Sequence, residues 1–255
     1  MRIAITGAAS GIGAATVARL KGDGHNVTAF DIAEPAGVDK WIPVDMSDIE
    51  AIRAAAAQVE GPFDALINNA GLPPRKGLEA KILAVNALGL VALVEALLPI
   101  LAPGAAIVTT ASRAGARWAE NAAQAKALLS LEDPLALPAF IADHSIDPIR
   151  AYDLSKEAVI VWTKANTERL FALGLRANTV SPAAVDTGIL ADFVTAFGDR
   201  ATRAMARTGG AGKPEDIAEV IAFLASPASA WVRGANIEVD CGVSANASAD
   251  QMGLR

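Results

Sequence analysis

The chain alternates short apolar runs with longer stretches in which apolar residues recur at helical spacing. Each short run is bounded by turn residues, which is typical of strands buried on both faces. The predicted strands are residues 2–6, 26–30, 65–68, 106–110, 176–181 and 235–240. The predicted helices are residues 11–24, 48–58, the region around 86–98, the segment that carries Tyr152, and 214–225. This alternation predicts an α/β fold with one doubly wound parallel sheet and helices on both faces.

A glycine-rich turn, Thr6-Gly7-Ala8-Ala9-Ser10-Gly11-Ile12-Gly13, follows the first predicted strand directly. In such sheets ligands bind at the carboxyl ends of the strands, and the first strand-to-helix turn holds phosphates. Gly7 permits the tight turn, Gly11 lets a pyrophosphate approach the backbone, and Gly13 lets the helix pack against the strand. Because the amides at the helix start carry the positive end of the helix dipole, the turn predicts a dinucleotide site.

Asp31 ends the second predicted strand, eighteen residues after Gly13. A carboxylate at this place accepts hydrogen bonds from ribose hydroxyls and repels a 2′-phosphate. The first turn also contains no arginine or lysine that would bind a 2′-phosphate. We therefore expect NAD rather than NADP, the alternative being that Asp31 is a solvated turn residue.

Tyr152 is the only tyrosine of the chain and stands four positions ahead of Lys156. On a helix this spacing puts both side chains on one face, so that the ammonium favours the ionised phenol. Such a phenol can exchange a proton at neutral pH. The alternative, an ordinary surface pair on an amphipathic helix, would leave the other motifs without explanation.

Composition narrows the class of protein. With 255 residues, 53% apolar and 20% charged, the chain predicts a single domain, residues 1–255. A net charge of −6 without a basic run argues against nucleic acid as a partner. The lone Cys241 and two distant histidines predict neither a disulfide nor a metal site.

Two further features bear on location. The most apolar stretch, residues 88–103, is interrupted by Glu95 and Pro99 and falls short of the ~20 residues of a membrane span, so we expect a buried helix and no membrane contact. The sequence starts at the first predicted strand without a leader pattern, which favours a cytoplasmic protein.

Taken in order, the motifs resemble those of the short-chain dehydrogenase/reductase family from about residue 1 to about residue 243. They are Thr6-Gly7-x-x-x-Gly11-x-Gly13, Asp45 in Val44-Asp45-Met46, Asn68-Asn69-Ala70-Gly71, Asn86, Ser112, Tyr152-x-x-x-Lys156 and Pro182-x-x-Val185-x-Thr187. The resemblance implies a Rossmann-type fold and a homo-oligomer, either dimer or tetramer. It also implies an NAD(H)-dependent oxidoreductase that moves a hydride between the nicotinamide and an alcohol or ketone.

The resemblance assigns cofactor contacts to residues of this chain. They are Gly7, Ser10, Gly11, Ile12, Gly13, Asp31, Asp45, Met46, Asn68, Ala70, Gly71, Tyr152, Lys156, Val185 and Thr187. Asp45 and Met46 would border the adenine, Asn68, Ala70 and Gly71 would line the cleft, and Val185 and Thr187 would hold the carboxamide.

The same resemblance assigns the chemistry. Tyr152 would be the general acid/base, and Lys156 would lower its pKa and bind the nicotinamide ribose. Ser112 would donate a hydrogen bond to the substrate oxygen. Asn86 would hold a water that relays protons from Lys156 to solvent.

Two segments depart from or extend the family pattern. Tyr152 follows Ser112 by 40 positions, which predicts an insertion at about 113–150 with a helix around 120–131. This layout is similar to the bacterial 3α-hydroxysteroid dehydrogenase/carbonyl reductase subgroup. The insertion would be either a lid or an element that replaces or blocks the family's dimer interface.

The second segment, a substrate loop at about 188–212, carries apolar residues at helical spacing and then Gly209-Gly210-Ala211-Gly212. It predicts a lid with a glycine hinge over a substrate with a hydrophobic body, unless these residues simply pack on the core. The resemblance to the subgroup named above implies a hydroxysteroid or another hydrophobic carbonyl compound as substrate. Arg200, Arg203 and Arg207 would either bind an anionic substrate or be solvated. Two other functions stay open: a dehydrogenase of small polar alcohols, and a non-catalytic dinucleotide-binding regulator.

Overall fold

Seven parallel strands form a single sheet in the order β3-β2-β1-β4-β5-β6-β7. The computed structural model describes residues 1–131 and 133–254. The predicted insertion therefore includes one residue outside the described residues, 132, and the predicted domain includes two, 132 and 255. The strands are β1 (Arg2–Thr6), β2 (Asn26–Asp31), β3 (Lys40–Pro43), β4 (Phe63–Asn68), β5 (Leu101–Thr110), β6 (Arg176–Pro182) and β7 (Asn236–Val239).

Helices connect the strands and cover both faces of the sheet. The α-helices are α1 (Gly11–Gly22), α2 (Ile49–Ala56), α3 (Glu79–Leu83), α4 (Leu90–Leu97), α5 (Ala122–Leu129), α6 (Leu137–Asp143), α7 (Pro148–Ala165), α8 (Thr167–Ala172), α9 (Leu190–Phe197), α10 (Asp199–Thr208), α11 (Pro214–Ala225) and α12 (Val243–Gln251). A π-helical segment, Ala84–Gly89, joins α3 to α4. The doubly wound α/β fold predicted from the sequence is confirmed.

Alternation along the strands divides the core into two layers. Ile3 and Ile5 point to the face covered by α1 and α11, whereas Ala4 between them points to the face covered by α2, α4 and α7. In the same way Leu66 of β4 faces opposite to its neighbours. Because successive side chains of a strand point to opposite faces, a strand buried on both sides must be apolar at every position. The continuous apolar runs of the sequence follow from this.

Two differences between the predicted and the observed elements concern an edge strand of the sheet and the start of one helix. The edge strand β3 was not predicted, because its four residues include only Trp41 and Ile42 as large apolar side chains and end in Pro43. Trp41 fixes it by donating from Nε1 to the carbonyl of Asp31 at 3.0 Å. The helix predicted around 86–98 begins earlier, at Glu79.

The continuous helical stretch Glu79–Ile100 is, by length and composition, apolar enough to cross a membrane. Sixty-seven per cent of its most apolar window is nevertheless buried inside the fold. Leu90, Leu93 and Leu97 of α4 are all buried in the core. This stretch therefore has the burial of a core helix, as the interruptions by Glu95 and Pro99 suggested.

The insertion packs against the side of the fold formed by α7 and α3. Its helix α5 lies on α7, and α6 lies against α3, with Leu128 and Phe140 buried in the same core. Glu157 of α7 is 1% exposed and accepts hydrogen bonds from Asn121 (2.7 Å) and Arg150 (2.6 Å). A buried carboxylate therefore anchors the insertion to the helix that carries Tyr152.

Loss of the Arg150 guanidinium should destabilise the protein strongly. Arg150→Ala leaves the Glu157 charge buried without its cation, and we expect a loss of about 3 kcal/mol in the free energy of unfolding. Arg117→Ala is the matched control, because its partner Glu120 is exposed and such a pair contributes at most about 1 kcal/mol. Urea unfolding measures both, and equal losses in the two variants would contradict the anchoring role of Glu157.

Candidate active site

A cleft of about 660 Å³ opens at the carboxyl ends of the central strands. It lies beside the junction of β1 and β4, where the strand order reverses. In open α/β sheets this switch point is where ligands bind, because the connecting segments diverge there to opposite faces. The glycine turn lines one part of the cleft, and Ser112, Tyr152 and Lys156 line another.

The three glycines of the first turn are required by close backbone contacts. Gly7 has φ +65°, and a Cβ added there would lie 2.6 Å from the Cα of Ala70. A Cβ at Gly13 would lie 1.9 Å from the carbonyl oxygen of Gly7. Gly11 has φ +53° and faces Thr187, whose Cγ2 would be 3.0 Å from an added Cβ. The start of α1 therefore packs closely against the turn and leaves its amides facing the cleft.

Hydrogen bonds join this turn to the loop after β4. Thr6 Oγ1 accepts from the backbone amides of Asn69 and Ala70, both at 2.9 Å. Asn69 Nδ2 donates to the carbonyl of Gly7 at 3.0 Å, and Asn69 Oδ1 accepts from Thr110 at 3.1 Å. One asparagine thus connects the ends of β1, β4 and β5.

Asn68 does not take the position that the family pattern suggested. Its side chain is 1% exposed and donates from Nδ2 to Thr109 Oγ1 at 3.3 Å, inside the sheet rather than at the cleft wall. Side chains alternate along the chain here, so that Asn69 is the one that reaches the cleft. The neighbouring Ala70 and Gly71 line the cleft as expected.

Two carboxylates stand at the end of the cleft nearest β2. Asp31 accepts from the amides of Ala9 (2.9 Å) and Ala33 (3.1 Å), which holds it beside the glycine turn. Asp45 accepts from Ser47 and contacts Lys81 at 3.2 Å. Partial burial raises the pKa of Asp45, but the Ser47 hydrogen bonds and the Lys81 charge outweigh it, so that the pKa lies below its ordinary value. Asp45 is therefore held as an anion at neutral pH.

The remaining predicted cofactor contacts are also placed along this cleft. Ser10 is the N-cap residue of α1, and its hydroxyl makes no capping hydrogen bond. The cleft wall further includes Ile12, Met46, Val185 and Thr187. Gly13 lies behind the wall as the packing residue of α1.

Tyr152 and Lys156 lie one turn apart on α7 and are almost fully buried, as are Ala151 and Ser155 beside them. Lys156 Nζ donates to the carbonyl of Thr110 at 2.9 Å and lies 5.7 Å from the centre of the Tyr152 ring. Ser112 is the N-cap residue of the turn that follows β5, and its Oγ accepts from the amide of Ala114 at 3.1 Å. The end of β5 and helix α7 therefore bring all three side chains to one place.

Burial has the largest effect on the pKa values of Tyr152 and Lys156. Burial raises the pKa of Tyr152, and the hydrogen bond with Ser112 lowers it by less. Burial likewise lowers the pKa of Lys156 to about 8, since no carboxylate stabilises its charge. In the protein alone, burial therefore governs the pKa of Tyr152, and the hydrogen bond with Ser112, rather than the predicted charge of Lys156, opposes the rise.

Asn86 lies in the π-helical segment and is completely buried. Its Oδ1 accepts from the amide of Leu72 at 2.7 Å, and its Nδ2 donates to the carbonyl of Leu72 (3.0 Å) and to Ser155 Oγ (3.2 Å). A Cβ at Gly71 would be 3.4 Å from Asn86 Oδ1 and 3.5 Å from Lys156 Nζ. Asn86 therefore lies next to Lys156 but behind the cleft wall. Such π-helical insertions are frequent at functional sites.

Helix α9 covers the Tyr152 side of the cleft. Phe193 contacts the Tyr152 ring edge-on with centroids 5.1 Å apart, and Phe197 stacks on Phe193 at 6.3 Å. Asp192 of the same helix forms a two-pronged ion pair with Arg75, at 2.9 and 2.7 Å, which joins α9 to the loop before α3. The apolar residues of the substrate loop thus line the cleft, while the insertion contributes only Arg113 and Ala114 to the described part of its wall.

Several cleft residues were missed by sequence reasoning. Asn69 stands within the quoted Asn68–Gly71 motif, and Arg113 directly follows Ser112, so their positions alone were a usable signal. Lys81 gave none, because its contact with Asp45 depends on how α3 lies over the loop after β3.

Comparison with known proteins agrees with this geometry. The profile described as short chain dehydrogenase matches residues 1–125, and one described as Enoyl-(Acyl carrier protein) reductase matches residues 135–244. Coniferyl-alcohol dehydrogenase of Pseudomonas sp. is 35% identical, with 95% of this chain and 96% of that protein covered. The 3-alpha-hydroxysteroid dehydrogenase/carbonyl reductase of Comamonas testosteroni is 31% identical, with 95% and 96% covered.

The chain belongs to the short-chain dehydrogenase/reductase family. Among solved structures it is similar to the 3-alpha-hydroxysteroid dehydrogenase of Pseudomonas sp. B-0831 complexed with NADH. That match has a TM-score of 0.86 and 30% identity, and covers 98% of this chain and 99% of the other. These relatives are oxidoreductases of alcohols, and the resemblance inferred from the ordered motifs is confirmed, including the subgroup with the long insertion.

Gly13→Ala should weaken dinucleotide binding at this cleft. An added Cβ 1.9 Å from the Gly7 carbonyl forces α1 away from the turn, and we expect NADH affinity to fall by about tenfold or more, at least ~1.4 kcal/mol. Gly22→Ala is the matched control at the other end of α1, where nothing lies within 4 Å. NADH fluorescence titration reports both. Undiminished affinity in Gly13→Ala would show that the turn does not contact the dinucleotide.

Proposed function

We propose that this chain is an NAD(H)-dependent alcohol dehydrogenase/carbonyl reductase that acts on a secondary alcohol or the matching ketone, a hydroxysteroid or another hydrophobic carbonyl compound. The observation that carries the proposal is the convergence of Ser112, Tyr152 and Lys156 on the cleft that also holds the glycine turn. A phosphate-binding turn and a proton-exchanging phenol in one cleft suit hydride transfer, because the cofactor and the substrate must meet there.

The cleft suits a dinucleotide along its whole length. The amides at the start of α1 face it, and α1 carries no acidic residue in its first turn that would repel a pyrophosphate. Ala70, Gly71, Val185 and Thr187 continue the wall from this turn towards Lys156. We assign the phosphates to the glycine turn, the adenine side to Asp45 and Met46, and the nicotinamide side to Val185 and Thr187.

Asp31 supports NAD rather than NADP. Its carboxylate is fixed by the amides of Ala9 and Ala33 at the place where the ribose of an adenosine would lie. A 2′-phosphate there would face this anion, and the nearest basic side chain of the cleft wall on that side, Lys81, is already paired with Asp45. NAD therefore binds without the repulsion that NADP would meet.

Tyr152 and Lys156 supply the proton chemistry. When bound, NAD would supply the hydride acceptor for the carbinol carbon, and Tyr152 would take the proton from the substrate hydroxyl. Burial keeps Tyr152 protonated in the protein alone, so its ionisation depends on positive charge placed beside it. Lys156 provides one such charge, and its lowered pKa of about 8 lets it exchange protons near neutrality.

Ser112 and Asn86 complete the group. Ser112 donates a hydrogen bond to the substrate oxygen and stabilises the charge that develops there. Asn86 lies beside Lys156 and Leu72, where it positions a proton path from the ammonium towards solvent. The roles of both residues follow the family pattern.

The substrate side favours an apolar molecule. Phe193, Phe197 and Ile189 line the cleft next to Tyr152, and a ring stacked there would exclude water from the reacting atoms. The relatives named for coniferyl alcohol and for 3-alpha-hydroxysteroids are named for ring-bearing alcohols, which supports the same class here. We further propose that residues 1–255 act as one domain in a cytoplasmic homo-oligomer.

Tyr152→Phe should abolish turnover while leaving NADH binding nearly intact. The phenol hydroxyl is the proton donor and acceptor, whereas the ring itself, held by Phe193, stays in place. General acid/base catalysis typically accounts for about 10²–10⁴-fold, and we expect kcat/KM to fall by at least that amount. The assay offers the enzyme NAD or NADP together with secondary alcohols from hydroxysteroids to polyols. The absorbance of the reduced cofactor reports turnover.

NADH fluorescence titration of the same variant is the control. Turnover of Tyr152→Phe comparable to that of the wild type would contradict the mechanism. Tight NAD binding without reduction of NAD by any alcohol would instead favour a non-catalytic dinucleotide-binding regulator, and reduction by polyols alone would move the substrate to the polar class.

A further inference from the structure

Two guanidinium groups line the substrate side of the cleft without a carboxylate partner. Arg113 directly follows Ser112 at the end of β5, and Arg200 lies in the first turn of α10. Within residues 1–131 and 133–254, neither side chain makes a hydrogen bond or salt bridge. By contrast, Lys81 and Asp45 in the wall of the same cleft form an ion pair with each other.

Of the two arginines, Arg113 gives the stronger evidence for a missing binding partner. It is half-buried, and its Nε is fully buried with no hydrogen-bond partner. A buried donor on a cation without an acceptor costs free energy, so such a group usually has a partner that completes it. Burial, with the like charge of Arg200, lowers the pKa of Arg113, which shows that the two guanidinium groups are close enough to repel each other.

Three acidic groups lie near the pair, and within the described residues none is hydrogen-bonded to it. Asp240 and Glu238 attract Arg113 only through space, and both oxygens of Asp240 already accept from the amides of Gly242 (2.9 Å) and Ser244 (2.7 Å). Asp153 attracts Arg200 from α7; burial raises its pKa to about 6, so that it is still largely ionised at neutral pH, and its buried Oδ1 has no hydrogen-bond partner in the described part of the chain. A third cation, Arg207, is paired with Asp250 at 2.8 Å.

Aromatic rings separate Arg200 from the reacting end. The Phe197 ring lies 6.4 Å from that of Tyr152, and the Arg200 guanidinium lies over the same Phe197 ring at 5.5 Å. A molecule that places its oxygen at Tyr152 and lies along Phe193 and Phe197 would therefore bring its far end to Arg200.

We propose that Arg113 and Arg200 form an anion subsite for the carboxylate of a hydroxy acid or keto acid whose reacting oxygen lies at Ser112 and Tyr152. The subsite deepens the proposed dehydrogenase function and rests on it. Planar guanidinium groups bind carboxylates through paired hydrogen bonds, and here the anion also removes the repulsion between the two cations. The subsite selects a substrate with an apolar ring body and an acidic far end.

The test compares ketones that differ only in this charge. 4-Acetylbenzoate and the longer 4′-acetylbiphenyl-4-carboxylate are each paired with the matching carboxamide. Calorimetric titration of the NAD complex, which has no hydride to transfer to a ketone, gives the affinity of each compound, and NADH oxidation in a separate assay gives kcat/KM for its reduction. We expect at least one acid to exceed its amide by about tenfold to a hundredfold, the range of a charge-assisted hydrogen-bond pair.

Variants of the two arginines test whether the preference for the acid over its amide arises at this subsite. Arg113→Gln and Arg200→Gln should each move the acid-to-amide ratio towards one, whereas Arg113→Lys should retain part of the preference. Arg203→Gln is the matched control, since Arg203 lies on the same helix α10, is exposed and does not line the cleft. It should leave the ratio unchanged. If Arg113→Gln fails to fold, the exposed Arg200 carries the comparison alone.

Three results would overturn the subsite. They are a ratio near one for both lengths in the wild type, no measurable binding of either acid, or an equal loss in Arg203→Gln and Arg200→Gln, which would reflect the general charge of the helix. Failure of the dehydrogenase proposal looks different, because the acids would then bind more tightly than the amides without either ketone being reduced.

Discussion

The architecture of the site depends on the junction between β1 and β4. There Gly7 and Gly13 bring α1 into backbone contact with the first turn, and Thr6 and Asn69 join that turn to the loop after β4. Any side chain at Gly13 would separate the two, because the added Cβ would collide with the Gly7 carbonyl. The junction sets the distance from the helix amides to Gly71, and through Gly71 to Asn86 and Lys156. The phosphate end and the proton-exchanging end of the cleft are therefore fixed relative to one another by a few backbone contacts.

Burial gives the other end of the cleft its chemical character. Tyr152 and Lys156 are nearly excluded from solvent, and desolvation opposes charge on both. Each group thus depends on charges brought to it, which ties proton exchange to occupation of the cleft. Arg113 is a comparable case, because the buried Nε of its half-buried cation lacks a hydrogen-bond partner within the described residues. The cleft has carboxyl groups near β2 and guanidinium groups beyond Tyr152, and we propose that this polarity orients what binds.

Much of the fold was predictable because it is encoded locally. β1 and α11 were predicted at their observed bounds, since a continuous apolar run and an amphipathic repeat each define an element without reference to its neighbours. The glycine turn was predictable for the same reason. The edge strand β3 was missed, because its structure depends on pairing with β2 rather than on its own four residues.

The rest depended on tertiary contacts that no local pattern contains. Asn68 and Asn69 are adjacent and identical, and only the twist of the strand end decides which reaches the cleft. An effect of Lys156 on the pKa of Tyr152 was predicted from their spacing. The burial that governs this pKa instead comes from α9 and the core. Packing of the insertion against α7 likewise arises from Glu157, a helix residue whose sequence position gave no sign that it would be buried.

The central claim is that a nicotinamide and a substrate carbon meet beside Tyr152 and Ser112 in this one cleft. Transfer of deuterium from NADH labelled at the nicotinamide C4 to a ketone tests it most directly, with the alcohol product analysed by mass spectrometry and NMR. We expect the label on the carbinol carbon of a single enantiomer, because the fixed cleft presents one face of the ketone to the cofactor. Reduction that leaves only solvent hydrogen at that carbon, or labelled product of both configurations in equal amounts, would contradict the account.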